Sequence, residues 1–242
     1  MDKPTAPSNK IRWVGRSGLF LLLLLPISVI GIRVGLLDFS IGLALFALSC
    51  LGCLLILIGL SVVSLMPRFA HHRKQSILWS LPVFPPVLIF GALMGSAGDY
   101  PAIHDISSDV DDPPAFTSAA AKIRPPGTNP VDINPEALAI QREAYPDLAT
   151  IITEESPAEA FEHASRVAES LDWVIYNSDP HIGVIEASYQ SFWFGFIDDI
   201  HIRIRATEAG TEIDLRSVSR VGRGDLGANA NRIRAFGQRY QP

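Results

Sequence analysis

The residues best suited to chemistry lie towards the end of the 242-residue chain. Two adjacent carboxylates, Asp198 and Asp199, precede residues 216–239, which hold six arginines and a single acidic residue. Arginine side chains bind phosphates and carboxylates through paired hydrogen bonds. The pattern therefore suggests either an anion-binding site or a hydrolase-like active site that uses Asp198 or Asp199 with Arg220 and Arg232.

A glycine-rich turn, GRGDLG at residues 222–227, separates a predicted strand from a predicted helix. Dinucleotide binding would require a second strand and an acid about 20 residues further on, and neither follows. Such a turn also exposes backbone N–H groups that can bind an anion. Arg220, Arg223 and Arg232 could converge on the same anion. Asp225 argues against an anion because, as N-cap, it occupies those N–H groups. The candidate ligand-binding residues are Asp198, Asp199, Arg220, Arg223, Asp225, Asn229 and Arg232.

The same charges have a structural alternative, in which the arginines pair with acids inside the domain. Adjacent residues of a strand point to opposite faces, so Asp198 and Asp199 do not readily bind one metal ion. We expect one of them to be buried against Arg220 or Arg232. The sequence predicts no metal site and no cofactor, and it identifies no catalytic residue. An enzymatic role stays open, with a non-enzymatic one favoured.

Two other groups resemble metal or redox sites. Four aspartates occur within residues 105–112, but they lack the glycine and the terminal Glu of an EF-hand loop. We interpret them as a solvated acidic turn. Cys50 and Cys53 form a C-x-x-C motif inside an uncharged apolar run. This position favours two small residues at a helix-packing surface over a redox motif.

Periodicity predicts the elements that position these residues. Ser156-Pro-Ala-Glu159 predicts a capping box at a helix start, and apolar residues at helical spacing follow to about residue 172. Strand patterns follow at residues 173–176, 183–188, 192–197, 200–206 and 211–219. A final helix begins after Asp225. The expected fold is an α+β domain, an antiparallel sheet flanked by two helices.

The last two strand patterns predict a hairpin with a defined register. With residues 207–210 as a four-residue loop, Arg205 faces Glu212 and Arg203 faces Asp214 on the polar side. A slip of one residue would bury these charges, so we expect the register to be firm.

Three apolar runs precede the domain and predict an α-helical membrane anchor. They support transmembrane helices at about 17–37, 41–65 and 76–95. Proline residues at 82, 85 and 86 should kink the third helix. A cleaved signal peptide is the alternative for the first run, but no small-x-small site follows it.

Charge predicts the orientation of the anchor. Lys3, Lys10, Arg12 and Arg16 precede the first run, and three basic residues lie between the second and third. Basic residues near membrane ends remain cytoplasmic. We therefore expect a multi-pass protein of a bacterial inner membrane, with a cytoplasmic N-terminus and a periplasmic C-terminal domain.

The predicted organisation is a membrane domain at 1–96, an irregular tether at 97–134 and an α+β soluble domain at 135–242. Residues 1–96 carry eight Lys and Arg against two acids, whereas residues 97–242 carry twelve against 23 acids. The acidic balance of the second part excludes a general nucleic-acid binder.

Several segments resemble one known family. FIDDIHIR at 196–203 and RSVSRVGRGDLGANANRI at 216–233 resemble the signature of domain of unknown function 1499. HDIS at 104–107 and YPDL at 145–148 resemble its earlier segments. The resemblance covers about 103–240. It implies a bacterial membrane-attached protein and supplies no activity.

The combined expectation is an integral inner-membrane protein whose periplasmic domain is a binding or interaction module at the cell envelope. The expected partners are the lipid bilayer and an anionic small ligand, a lipid head group or another envelope protein. The alternatives are the hydrolase-like enzyme and a purely structural anchor. An open cleft lined by the candidate residues would favour catalysis or ligand binding, whereas buried mutual pairing would favour the module.

Overall fold

The computed structural model describes residues 8–208 and 210–241. The chain divides into two compact units, the first ending at Ala97 and the second beginning at Gly98. Lys3, one of the residues used to predict orientation, and Ala209 of the predicted hairpin loop lie outside the described residues.

The first unit contains two long apolar helices. Helix α1 spans Asn9–Arg33 and helix α2 spans Phe39–Leu65. Each is long and apolar enough to cross a membrane. Ser28 and Ser49 donate hydrogen bonds to backbone carbonyls of the facing helix, each at 2.7 Å. Cys50 and Cys53 are buried free thiols in α2, which is the packing position expected for small residues.

The third apolar run is broken into two helices. A 3₁₀ helix at Pro67–His72 leads into α3 at Arg73–Ser80, and α4 follows at Phe84–Ala97. The two parts are bent by 63°. Proline occupies the break at residue 82 and the start of α4 at residues 85 and 86, where its ring and missing N–H interrupt the helix. By length and composition, the described residues therefore hold two helices that could cross a membrane, or three candidate spans if the bent pair is one span.

The second unit is an antiparallel sheet with helices. Its strands are β1 Asp105–Ser107, β2 Ile151–Thr153, β3 Val174–Asp179, β4 Val184–Gln190, β5 Ile197–Thr207 and β6 Gly210–Ser219. Its helices are α5 Ser118–Ile123, α6 Pro135–Ala144, α7 Pro157–Ser170 and α8 Ala228–Tyr240. The strand order is β1-β6-β5-β4-β3. Strand β2 pairs with the first residues of β6, on the same edge of β6 as β1.

The predicted hairpin register is confirmed. Arg205 lies opposite Glu212 and Arg203 lies opposite Asp214 in the β5–β6 ladder. Thr207 pairs with Gly210, so the connection is shorter than the four-residue loop expected. The pairing extends to Asp198 and Ser219, which makes these two strands the longest in the sheet.

Helices α7 and α8 cover one face of the sheet and bury the apolar core. Ile200, Ile202 and Leu215 are fully buried beneath them. Helix α7 begins with the predicted capping box, because Ser156 Oγ accepts from the Glu159 backbone N–H and the Glu159 carboxylate accepts from the Ser156 backbone N–H. The final helix begins at Ala228, three residues later than Asp225.

The opposite face of the sheet is polar and is covered by the chain between β1 and α6. This segment was expected to be an irregular tether. Instead β1 pairs with β6, α5 forms at Ser118–Ile123, and the arginines of the sheet bond its backbone carbonyls. Ion pairs and hydrogen bonds hold this segment to the sheet, and they leave no apolar periodicity in the sequence.

The strand expected at residues 192–197 is wrong, since only Ile197 belongs to a strand. Residues 191–196 form a tight loop between β4 and β5. The Ser191 N–H donates to the Phe196 carbonyl at 2.8 Å, and the Phe196 N–H donates to Ser191 Oγ at 2.9 Å. Gly195 has a φ of 70°, a left-handed conformation that ends the extended chain.

Candidate functional site

Asp198 is the first residue of the candidate set, and it lies on the face of the sheet that α8 covers. Its carboxylate Oδ2 is 2.6 Å from Nη2 of Arg232, and both side chains are 8% exposed. Arg232 Nη1 also donates to Ser217 Oγ at 2.9 Å, and its guanidinium lies 4.9 Å from the centroid of the Tyr189 ring. The carboxylate is therefore enclosed and neutralised by an arginine from the last helix.

Asn229 completes this group and uses its polar atoms within it. Its Oδ1 accepts hydrogen bonds from Ser217 and Arg232 at 2.7 and 2.5 Å. Its Nδ2 donates to the His104 carbonyl at 3.0 Å and to Ser219 Oγ at 2.9 Å. Because its donors and acceptor are all engaged, Asn229 holds α8 against β6 and the start of β1.

Asp225 binds the N-terminal turn of α8. Its two carboxylate oxygens accept from the backbone N–H groups of Gly227 at 2.9 Å and Asn229 at 2.7 Å. Burial raises the pKa of the Asp225 carboxyl despite these hydrogen bonds, and the nearby Asp198 charge adds to the increase. The N–H groups that the glycine-rich turn offers to an anion are thus occupied by a side chain of the same turn.

Asp199 lies on the opposite, polar face and is fully buried. Arg220 binds it with two hydrogen bonds, Nε to Oδ2 at 2.9 Å and Nη2 to Oδ1 at 2.7 Å. Arg124, which follows α5, also binds Asp199 Oδ2. Two arginines from different segments therefore share one carboxylate beneath the covering chain.

A second buried group on the polar face centres on Glu186, which lies opposite His201. The carboxylate accepts from the Thr117 backbone N–H at 2.6 Å, from the Thr117 hydroxyl at 2.7 Å and from Asn177 at 2.9 Å. His201 Nδ1 is 3.3 Å from Oε1. Burial disfavours the charged form, but hydrogen bonds from His201 and Thr117 outweigh it and lower the pKa of Glu186 to about 2.

Tyr176 lies beside both buried carboxylates, in a β-bulge where β3 shifts register between residues 175 and 177. Burial raises the pKa of its hydroxyl, and the charges of Asp199 and Glu186 raise it further. Among the described residues, the hydroxyl oxygen has no hydrogen-bond partner. The phenol therefore stays protonated between the two carboxylates.

Arg216 anchors the covering chain to the sheet and is 1% exposed. Its Nε and Nη2 bind the two oxygens of Asp105 at 2.9 and 2.7 Å. The remaining N–H groups donate to the carbonyls of Pro114 at 3.1 Å and Val131 at 2.9 Å. One guanidinium thus joins β6, β1 and two points of the following segment.

The predicted acidic turn at residues 105–112 is paired with the hairpin arginines. Arg203 binds Asp112 at 3.0 Å and Asp109 at 3.3 Å, and Arg205 binds Asp112 at 2.9 Å. Arg203 also binds the buried Asp214 at 2.9 Å. Within 8–208 and 210–241, no group of three or more His, Cys, Asp or Glu residues has the geometry of a metal site.

The candidate arginines do not converge on one point. Arg220 and Arg232 are engaged on opposite faces of the sheet by Asp199 and Asp198. Arg223 is exposed and forms no ion pair within the described part of the chain. An open hollow of about 470 Å³ lies along α7 and is lined by Glu155, Ala158, Glu159, Glu162 and Arg166. None of the candidate residues contributes to it.

Sequence reasoning missed several members of these clusters, among them Arg124, Glu186 and Thr117. The signal for Glu186 was present, because a charged residue in a strand opposite His201 is unusual on a buried face. Arg124 and Thr117 lie in a segment without periodicity, so no local pattern related them to the sheet. The expectation that Asp198 or Asp199 is buried against Arg220 or Arg232 holds for both carboxylates.

A comparison with known protein families matches residues 105–239 to the family described as "Protein of unknown function (DUF1499)". The match begins at β1, ends within α8 and covers more than half of the chain. It includes the described ion-pair clusters and excludes the apolar helices. No curated protein matches the chain.

Proposed function

The chain belongs to the DUF1499 family, a family of unknown function, and we propose that it is a non-enzymatic interaction module attached to a membrane. The observation that carries this proposal is the state of Asp198 and Asp199. Each is buried, and each is neutralised by arginine on its own face of the sheet. A general acid, base or nucleophile must reach its substrate, and neither carboxylate lies in an open cleft.

The three apolar regions support a membrane anchor of three spans, with α3 and α4 together as the third. Basic residues in the N-terminal part of α1, and from the 3₁₀ helix to the start of α3, favour a cytoplasmic location for both segments. The second unit then lies on the other side, which in a bacterial inner membrane is the periplasm. It contains no cysteine, so it needs no particular redox compartment.

The module is proposed to act on the envelope beside it, through lipid or another envelope protein. Its charge, twelve basic against 23 acidic residues beyond residue 96, disfavours nucleic acid. The hydrolase-like alternative requires Asp198 or Asp199 to leave its arginine. Breaking a buried ion pair costs about 3–5 kcal/mol, which opposes that step.

The experiment compares amide hydrogen exchange in two preparations of the full chain. One is extracted in polymer-bounded discs that retain native lipids and neighbours, and the other is purified in detergent. We expect a surface of the second unit to gain protection in the native discs, while the buried strands β5 and β6 stay unchanged. Equal exchange throughout the second unit would contradict an interaction module. A C-terminal fusion that fluoresces in the cytosol would contradict the periplasmic orientation.

A further inference from the structure

The loop at residues 191–196 exposes two large aromatic side chains. Phe192 is 76% exposed and Trp193 is 70% exposed, and their rings meet edge to face at 5.4 Å. The sequence is uncharged from residue 187 to residue 197. Exposed apolar patches of this kind mark surfaces that contact protein or membrane.

The position of this loop relates it to the incoming chain. The loop leads into β5 at the end of the sheet where β6 finishes, and the Arg220 N–H donates to the Ile197 carbonyl at 3.0 Å. The chain enters the second unit at the same end. The carbonyl of His104 accepts from the Ser219 N–H at 2.9 Å, and that of Ile103 accepts from the Asp225 N–H at 3.2 Å.

The connection between α4 and β1 is short. Residues 98–104 alone separate α4 from β1. At roughly 3.3–3.6 Å per extended residue, they span at most about 25 Å. The aromatic loop lies at the end of the sheet where this short connection enters the second unit.

We propose that Phe192 and Trp193 insert into the interfacial region of the bilayer in which α1, α2 and α4 lie. This inference rests on the proposed membrane attachment and names the lipid surface as the partner. Aromatic rings are favoured at the head-group level, where an apolar body meets a polar boundary. Leu226, which is 49% exposed, and the exposed Arg223 lie in the neighbouring β6–α8 loop and add an apolar and a cationic contact.

The charge of the surrounding surface supports a lipid partner. The second unit is acidic overall, but Asp198 and Asp199 at this end are buried and bound to arginine. The tip of the loop carries no charge, so insertion buries no ionised group. The opposite end of the sheet provides a control, because Ile182 in the β3–β4 turn is 61% exposed there.

The test uses the full chain reconstituted in phosphatidylcholine vesicles whose acyl chains carry bromine near the head group, a quencher of tryptophan. Wild type is compared with Trp193→Phe, and the difference spectrum isolates Trp193. The matched control is Trp193→Phe combined with Ile182→Trp. We expect loss of most of the Trp193 emission and a shift to shorter wavelength, with no quenching of the tryptophan placed at 182.

Three results would overturn the insertion. These are an unquenched Trp193, equal quenching at 182 and 193, or a blue-shifted Trp193 that bromine does not quench, which would indicate a protein partner. Trp13 and Trp79, in α1 and α3, report separately on the membrane anchor. If they are quenched and Trp193 is not, the anchor stands and the insertion fails. If none is quenched, the proposed membrane attachment fails as well.

Discussion

Asp198 and Asp199 are consecutive in the chain, yet their carboxylates bind arginines on opposite faces of one sheet. Asp198 meets Arg232 at 2.6 Å beneath α8, and Asp199 meets Arg220 at 2.7 Å beneath the segment that follows β1. Strand geometry requires this separation, because successive side chains point to opposite faces. The acidic pair is therefore two structural ion pairs that fasten a helix and a covering segment to the same strand.

The Asp198–Arg232 pair can be tested by removing one partner. Arg232→Met leaves the Asp198 carboxylate buried without its cation, so we expect a loss of about 3–5 kcal/mol in stability. Adding Asp198→Asn should recover much of that loss, since the unpaired charge is then gone. The measurement is the urea midpoint of the full chain in detergent, followed by near-ultraviolet circular dichroism.

The matched control for this prediction is Arg223→Met, which removes an exposed arginine that forms no ion pair within residues 8–208 and 210–241. We expect its midpoint to stay at the wild-type value. A double variant no more stable than Arg232→Met alone would contradict a pair whose main cost is the unpaired carboxylate.

The buried carboxylate of Glu186 should make the stability of the folded protein depend on pH in the acidic range. Its pKa in the folded protein is about 2, below the ordinary value of 4.5, because hydrogen bonds from His201 and Thr117 outweigh the effect of burial. The stability that its ionised form contributes is complete above pH 4.5 and is lost as the pH falls towards 2. Glu186→Gln should therefore be less stable at pH 6 and lose less stability between pH 6 and pH 3. Parallel losses in the two proteins, measured as urea midpoints, would refute this role.

Regular elements could be predicted from the sequence, and the polar clusters only in part. The β5–β6 register could be predicted because apolar and charged residues alternate along both strands, as at Ile204 and Arg205. The start of α7 could be predicted from Ser156 and Glu159. Arg124 could not be related to Asp199, because 75 residues separate them and no period connects them. Ion pairs of this kind depend on tertiary placement, which local patterns do not encode.

The prediction of a strand at residues 192–197, in the aromatic run after β4, was wrong for a different reason. A strand and a tight apolar loop both show closely spaced Phe and Trp residues, so periodicity alone did not separate them. Gly195, with its φ of 70°, was the signal for a loop. Two aromatic residues of this loop, Phe192 and Trp193, are exposed.

Gly183 is expected to tolerate no side chain. It has a φ of 66°, and a Cβ there would lie 2.0 Å from the carbonyl oxygen of Ile204. Gly127 has a φ of 83° and nothing within 4 Å of the same position. Gly127→Ala should thus show backbone strain alone, about 1–2 kcal/mol. Gly183→Ala should cost more, because β4 must also move away from β5. Equal shifts of the urea midpoint in the two variants would contradict the close contact.

Arg216→Lys tests whether one guanidinium holds the segment that covers the polar face. Lysine has a single ammonium group and cannot bind both oxygens of Asp105 while also donating to the carbonyls of Pro114 and Val131. We expect local release of this segment, seen as faster protease cleavage at residues 114–131 under conditions in which β5 and β6 stay protected from hydrogen exchange. Arg234→Lys, at an arginine that binds Asp147 outside this segment, should leave the cleavage rate unchanged. Cleavage that accelerates equally in both variants would show that the covering segment does not depend on the guanidinium geometry at Arg216.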